Sequence, residues 1–155
     1  AGFEVTVPAQ PLCCGRPLYD YGMLDTAKVF WRRMLDVLAP QIREGIPVVG
    51  IEPSCVAAFR DELPGLMPHD EDAKRLSLQT LTLAELLQRH APDWEPPRLE
   101  AKALVHGHCH QEAVMGMSAE AELYSRIGLD FEVLDSGCCG LAGSFGFERD
   151  HDEIS

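Results

Sequence analysis

Phe131-Glu-Val-Leu-Asp-Ser-Gly-Cys138-Cys139-Gly140 is the stretch on which the reading of this chain turns. Phe131 to Leu134 reads as a short strand, and it runs into a loop of small residues that carries two adjacent cysteines. The same word occurs near the other end, where Phe3-Glu-Val-Thr-Val7 leads into Pro11-Leu-Cys13-Cys14-Gly15. Two further strands repeat the arrangement. Pro47-Val-Val-Gly-Ile51 runs into Glu52-Pro-Ser-Cys55, and Lys102-Ala-Leu-Val-His106 into Gly107-His108-Cys109-His110.

Helices fill the gaps between these strands. Ala27, Phe30, Trp31, Met34, Leu35 and Leu38 fall at helical spacing on one stripe, with Asp25 as the expected N-cap, Gly45 as the stop and Pro40 as a kink or early end. Thr82 to His90 reads as a second helix, and Ala119 to Ile127 as a third between Ser118 and Gly128. Val56 to Leu63 reads as a helix that begins just after Cys55. Strands alternating with helices predict an α/β fold of two pseudo-symmetric halves, each a short, largely parallel sheet flanked by helices. The Pro-rich stretch 91–98 is the expected divider. The halves are then residues 1–91 and residues 99–155, the first incomplete at its N-terminal side and the second at its C-terminal side. The order of cysteine motifs is reversed between them, as two copies of one unit look when the window opens late in the first and closes early in the second.

Composition narrows the function classes. Apolar residues make up 46% of 155 residues, which is enough for a core, and 25 acidic against 13 basic side chains give a formal charge of −12. A surface for nucleic acid or anionic membrane would need a basic footprint, so neither partner is expected. No apolar run approaches the ~20 residues that span a bilayer. The N-terminus shows no secretory pattern, and the absent initial Met together with the abrupt end reads as a segment of a longer protein. A cytoplasmic, reducing setting is the expectation for its six cysteines, with membrane association only peripheral and through an electron acceptor.

Those cysteines, Cys13, Cys14, Cys55, Cys109, Cys138 and Cys139, all fall in strand-end loops beside Gly, Pro, Ser or His. Neighbouring cysteines make a strained disulfide, and cysteines that merely fill a core would lie inside helices and strands. Thiolates gathered in loops of small residues suit a metal or an iron–sulfur cluster, whose sulfurs accept backbone N–H groups. Gly140-Leu-Ala-Gly143-Ser-Phe-Gly146 is a candidate source of such donors; without a lysine it is not a phosphate loop. Cys55 comes just ahead of a helix, whose dipole is expected to lower its pKa and favour the thiolate; the alternative is that Ser54 caps the helix and Cys55 only fills space. His106, His108 and His110 flank Cys109 and look like a zinc set. Alternation in an extended segment keeps one metal from taking all three, so His110 is read as a partner of a sulfur or a proton shuttle. A hydrolase built on Cys109 and its histidine neighbours fails on the same geometry.

At these motifs the chain resembles the cysteine-rich Cys-Cys-Gly domain family, which includes the cysteine-rich subunit of heterodisulfide reductase and the iron–sulfur subunit of glycolate oxidase. Cys13-Cys-Gly-Arg-Pro-Leu-Tyr-Asp-Tyr-Gly22, Glu52-Pro-Ser-Cys55, His106-Gly-His-Cys-His110 and Gly137-Cys-Cys-Gly-Leu-Ala-Gly-Ser-Phe-Gly146 are similar in order to the C-terminal iron–sulfur region of fused FAD-linked oxidases of the D-lactate or D-2-hydroxyglutarate dehydrogenase type. The resemblance implies that all six cysteines ligate iron–sulfur clusters of the 4Fe-4S type. It also implies that FAD, bound in a flavin domain or subunit elsewhere, oxidises a 2-hydroxy acid and passes its electrons here. The chain is then part of an oxidoreductase and not catalytic alone. Each half offers three sulfurs where a four-iron cluster takes four, so this stretch by itself is expected to hold no cluster, an incomplete one, or zinc. A disulfide- or thiol-handling site and a structural zinc or docking module are the alternative functions. No dinucleotide fingerprint follows a strand, so FAD itself is not expected to bind here.

Overall fold

Trp31, Met34, Leu35 and Ile42 come together in the computed structural model on one side of a long helix, α2 (Leu24–Arg43), as the apolar stripe predicts. The structure describes residues 1–137, 139–143, 145–151 and 153. Phe30, at the edge of the stripe, stays 42% exposed. Asp25 lies inside the first turn and does not cap it; Met23 holds that position without a side-chain hydrogen bond. Pro40 is carried within the helix near its end. The helix closes where Gly45 turns left-handed at φ 78°, with Gly45 N donating to Ile42 O and Ile46 N to Gln41 O.

A short helix α1 (Arg16–Asp20) precedes α2. Strand β1 (Val48–Gly50) follows it and leads into α3 (Pro53–Ala57), a π-helical turn at Ala58–Glu62, and α4 (Leu63–Leu66). The single helix expected from Val56 to Leu63 is therefore three joined pieces. Leu63, Met67, Ala73 and Leu76, from this stretch and from α5 (Glu71–Gln79), close the core against α2. Strand β2 (Thr80–Thr82) then pairs in parallel with β1, Val49 opposite Leu81, and α6 (Leu83–His90) starts at once through a capping box between Thr82 and Glu85.

The second half repeats the plan. Strand β3 (Lys102–Val105), α7 (Cys109–Val114), α8 (Ser118–Arg126) and β4 (Asp130–Val133) follow in order, and β3 and β4 pair in parallel with Ala103 opposite Phe131. Ser118 opens α8 but supplies no cap; Gly128 follows its end. Among the described residues the architecture is α/β with two separate two-stranded parallel sheets, β1–β2 and β3–β4. The halves touch where α6 packs on α8 and α3 on α7. Gln88 Nε2 donates to Glu122 Oε2 at 2.5 Å, and the Arg126 guanidinium donates to the carbonyls of Pro92 and Trp94 in the linker.

One expected strand is missing. Phe3 to Val7 is coil, with Val5 80% and Val7 82% exposed. A strand is held by ladder bonds to a neighbour, and among the described residues none pairs with this segment. No helix among the described residues is long and apolar enough to cross a membrane.

A hydrogen bond ties the core to the first cysteine loop. Trp31, with no exposed surface, donates its indole Nε1–H to the carbonyl of Cys14 at 2.6 Å. Trp31→Phe keeps most of the ring volume and leaves that carbonyl without its donor, a loss of ~1–3 kcal/mol. Urea unfolding is expected to show a lower midpoint with an unchanged slope. An unaltered midpoint would mean the bond contributes nothing.

Candidate functional site

Cys14 and Cys55 lie 41 positions apart in sequence, and their sulfurs are 2.8 Å apart, with the Cys55 thiol donating to Cys14 Sγ. Both are partly buried. The separation is well beyond the ~2.05 Å of a disulfide, and the five described cysteines are all free.

Three local features bring the pair together. Gly15 turns left-handed at φ 74° directly after Cys14, and a Cβ there would come within 2.8 Å of Trp31 Nε1. Only glycine lets the loop press against the indole and turn into α1. On the other side Glu52 is the N-cap of α3, its carboxylate accepting from Ser54 N at 3.1 Å and Cys55 N at 2.7 Å, and also from the Ser54 hydroxyl. These bonds fix the backbone of Cys55. The third feature is Arg16, 7% exposed, whose Nε and Nη2 both donate to Ser54 O at 3.3 Å.

Electrostatics make the two sulfurs unequal. The Cys55 thiol, donating to Cys14, lowers the Cys14 pKa from 9.0 to about 6; burial opposes this, and the Arg16 backbone N–H and guanidinium assist it. Cys55 moves the other way, pushed up by its hydrogen bond to Cys14, by burial, and by the Cys14 and Glu52 charges. Glu52 itself is held at about 2, its bonds to Ser54 and Cys55 outweighing desolvation. The expectation that the helix end lowers the Cys55 pKa is therefore overturned. Its helix is one turn long and capped by a carboxylate, so the hydrogen bond to Cys14, burial and the cap charge outweigh the helix end, and ionisation is favoured at Cys14 over Cys55.

Cys13 is exposed, accepts Gly15 N at 3.5 Å, and lines a shallow cavity of about 130 Å³ with Leu12, Phe30 and Arg33. That bond is a glycine N–H donated to sulfur, found in the first loop. Cys109 opens α7 and is exposed, and Cys139 is also exposed. Cys138 lies outside the described residues. The structure thus gathers Cys14 and Cys55, leaves Cys13 exposed next to Cys14 in sequence, and places Cys109 on the helix packed against α3.

The three histidines have different surroundings. His108 caps α7 through Nδ1, which accepts His110 N at 3.2 Å, and its Nε2 stands 3.9 Å from Glu52 Oε1, so the caps of α3 and α7 face each other across the two halves. His106 Nδ1 is 2.9 Å from Ser136 Oγ, tying the end of β3 to the loop after β4. The His110 ring stands edge-on to His108; its Nδ1 is buried with no hydrogen-bond partner among the described residues. Burial, aided by the charges of Arg16 and His108, lowers its pKa and keeps it neutral at neutral pH.

Sequence reading missed Arg16, Trp31 as a site residue, and the capping role of Glu52. Glu52-Pro-Ser has the form of a helix start, which was the available signal for Glu52. Arg16 carried none beyond its place after Cys-Cys-Gly.

The donor set suits a thiophilic cofactor in chemistry: sulfurs from separate segments meet, one of them already ionised, with N–H groups aimed at sulfur. In number it supplies two gathered donors. Among the described residues no three Cys, His, Asp or Glu side chains stand close enough together to hold a metal ion.

Residues 1–60 match the family model of the cysteine-rich domain, CCG. Over 97% of its length the chain is 34% identical to a subunit of the anaerobic glycerol-3-phosphate dehydrogenase of Escherichia coli strain K12, covering 39% of that protein. Over 93% it is 31% identical to lactate utilization protein A of Bacillus subtilis strain 168, covering 62% of it. Over 99% it is 26% identical to D-2-hydroxyglutarate dehydrogenase of E. coli strain K12, covering 15%. The chain therefore spans less than two thirds of each of these relatives. No solved structure matches it.

In metal-free protein, alkylation of Cys14 followed by mass spectrometry is expected to reach half its limiting rate near pH 6. Cys55→Ala moves that midpoint up towards 9.0; a wild-type midpoint already near 9.0 would contradict the assignment. The stability consequence has a definite sign. Cys14, with its folded pKa lowered, adds stability that is full above pH 9.0 and lost as the pH falls through about 6, whereas Cys55, raised, removes stability above 9.0. The pair thus makes stability climb from about pH 6 to 9.0 and decline beyond it.

Gly15→Ala is the steric counterpart. Left-handed backbone costs an L-residue ~1–2 kcal/mol before the contact with Trp31 is counted. Thermal unfolding is expected at a lower temperature than wild type, and an equal temperature would show that the loop is not pressed on the indole.

Proposed function

Because residues 1–60 match the cysteine-rich CCG domain family, we propose that the chain is the iron–sulfur electron-transfer module of a flavin-linked oxidoreductase. In this reading Cys13, Cys14 and Cys55 in one half, and Cys109, Cys138 and Cys139 in the other, ligate clusters of the 4Fe-4S type completed by cysteines elsewhere in the protein. The cluster, when bound, supplies one-electron transfer. The two halves, residues 1–91 and 99–155, each contribute one ligand set, and the setting is cytoplasmic. Electrons arrive from FAD held in a separate flavin domain or subunit after oxidation of a 2-hydroxy acid. Two of the relatives support that substrate class, being named for lactate and 2-hydroxyglutarate.

The observation that carries the proposal is the meeting of Cys14 and Cys55 sulfurs from segments 41 residues apart. The chain's own residues do the rest. Glu52 and Arg16 set the Cys55 backbone, Trp31 sets that of Cys14, and the Gly15 N–H already points at Cys13 sulfur. Such N–H···S bonds stabilise negative charge on sulfur and raise a reduction potential.

A second reading, a thiol–disulfide site, is favoured by one detail: Cys14 is held as a thiolate in contact with the Cys55 thiol, the arrangement of an attacking and a resolving sulfur.

The test is metal and sulfide analysis of the native full-length protein purified without oxygen, with its visible spectrum. Iron and sulfide in near-equal amounts, with absorption bleached by dithionite, are expected, and Cys14→Ser or Cys55→Ser should lower the iron content. Zinc without iron would replace electron transfer with a structural role. A metal-free protein that reduces disulfides would select the second reading.

A further inference from the structure

Arg16 is a cation held almost entirely out of water, at 7% exposure, one residue beyond the Cys-Cys-Gly turn. Burying an unpaired guanidinium would cost several kcal/mol, so its partners carry the explanation for its presence. Nη1 lies 2.6 Å from Glu62 Oε1 and 3.3 Å from Asp20 Oδ1. Those carboxylates neutralise it and hold it from the end of the π-helical turn and from its own helix. Its remaining donors, Nε and Nη2, are both spent on a single atom, the Ser54 carbonyl, at 3.3 Å each. Ser54 is the residue before Cys55, and Arg16 stands two after Cys14.

We propose that Arg16 is a positioning residue of the thiol site, one that sets the Cys14–Cys55 separation by clamping the Ser54 carbonyl from the Cys-Cys-Gly side. The fork geometry matters. Two N–H groups fixed in one plane and directed at one oxygen restrain the direction of that carbonyl as well as its distance, and so the turn from which the Cys55 side chain departs. A lysine at this place offers a point charge on a flexible stem and cannot make the paired contact. Glu62 and Asp20 stop the guanidinium from swinging out to solvent. The inference rests on Cys14 and Cys55 acting together, as in the functional reading above.

The test uses the full chain, metal-free, with Cys13, Cys109, Cys138 and Cys139 replaced by Ala, so that Cys14 and Cys55 are the only thiols. Phenylarsine oxide, whose arsenic binds two sulfurs at once, is the probe, and circular dichroism checks the fold. Tight binding of one equivalent is expected, lost with Cys14→Ser. Arg16→Gln and Arg16→Lys should each weaken it by about tenfold or more through the lower effective concentration of one thiol at the other, the lysine giving no rescue. A folded Arg16 variant that binds the arsenical as tightly as its parent would overturn the proposal. So would tight binding that survives Cys14→Ser, or failure of both Arg16 variants to fold, which would make Arg16 a residue of the fold alone. The readout needs no iron, so absence of iron in the native protein sinks the cluster reading without touching this one.

Discussion

The hydrogen bond from the Trp31 indole to the Cys14 carbonyl spans 2.6 Å, from the centre of an apolar core to the backbone of a cysteine loop. Trp31 is fixed as a fully buried member of one core cluster with Met34, Leu35, Leu63 and Leu76. The loop is fixed because Gly15 can turn against the ring where any larger residue would collide. The position of Cys14 therefore derives from the packing of α2 rather than from the loop's own chemistry. Cys55 is delivered separately, from the end of β1 through a helix start capped by Glu52. Two scaffolds, tied to each other through Arg16, thus bring one sulfur each to a common point.

The close approach of two sulfurs has an electrostatic consequence. A thiol that donates to its neighbour stabilises the neighbour as thiolate and is itself held protonated, so the pair carries one charge shared unequally. The carboxylate of Glu52 deepens the asymmetry on the Cys55 side, and Arg16 assists ionisation on the Cys14 side. A site of this kind is prepared for a partner that takes thiolates, whether metal or disulfide, before that partner arrives.

Much of this was legible in the residues. The helical stripe through Trp31 and Leu35, the strand before each cysteine loop except the first, and the α/β plan all followed from periodicity and turn residues. Phe3 to Val7 has strand chemistry and no strand, because pairing is a property of a neighbour and not of the segment. Thr80 to Thr82 was hidden for the opposite reason: three residues between two helices give no period, and only the register with Val48 to Gly50 makes them a strand. Cysteine spacing announced a thiol site and could not say which sulfur is ionised, since that depends on Glu52 and Cys14 meeting Cys55 in space. Arg16 was illegible for the same cause, its acceptor lying 38 residues away.

Oxidation of the metal-free wild-type chain with one equivalent of diamide, followed by proteolysis and mass spectrometry, tests the convergence of the two scaffolds most directly. A Cys14–Cys55 cross-linked peptide as the dominant product is the result this structure predicts. Bridges distributed among the other cysteines, with Cys14 and Cys55 left unlinked to each other, would contradict it.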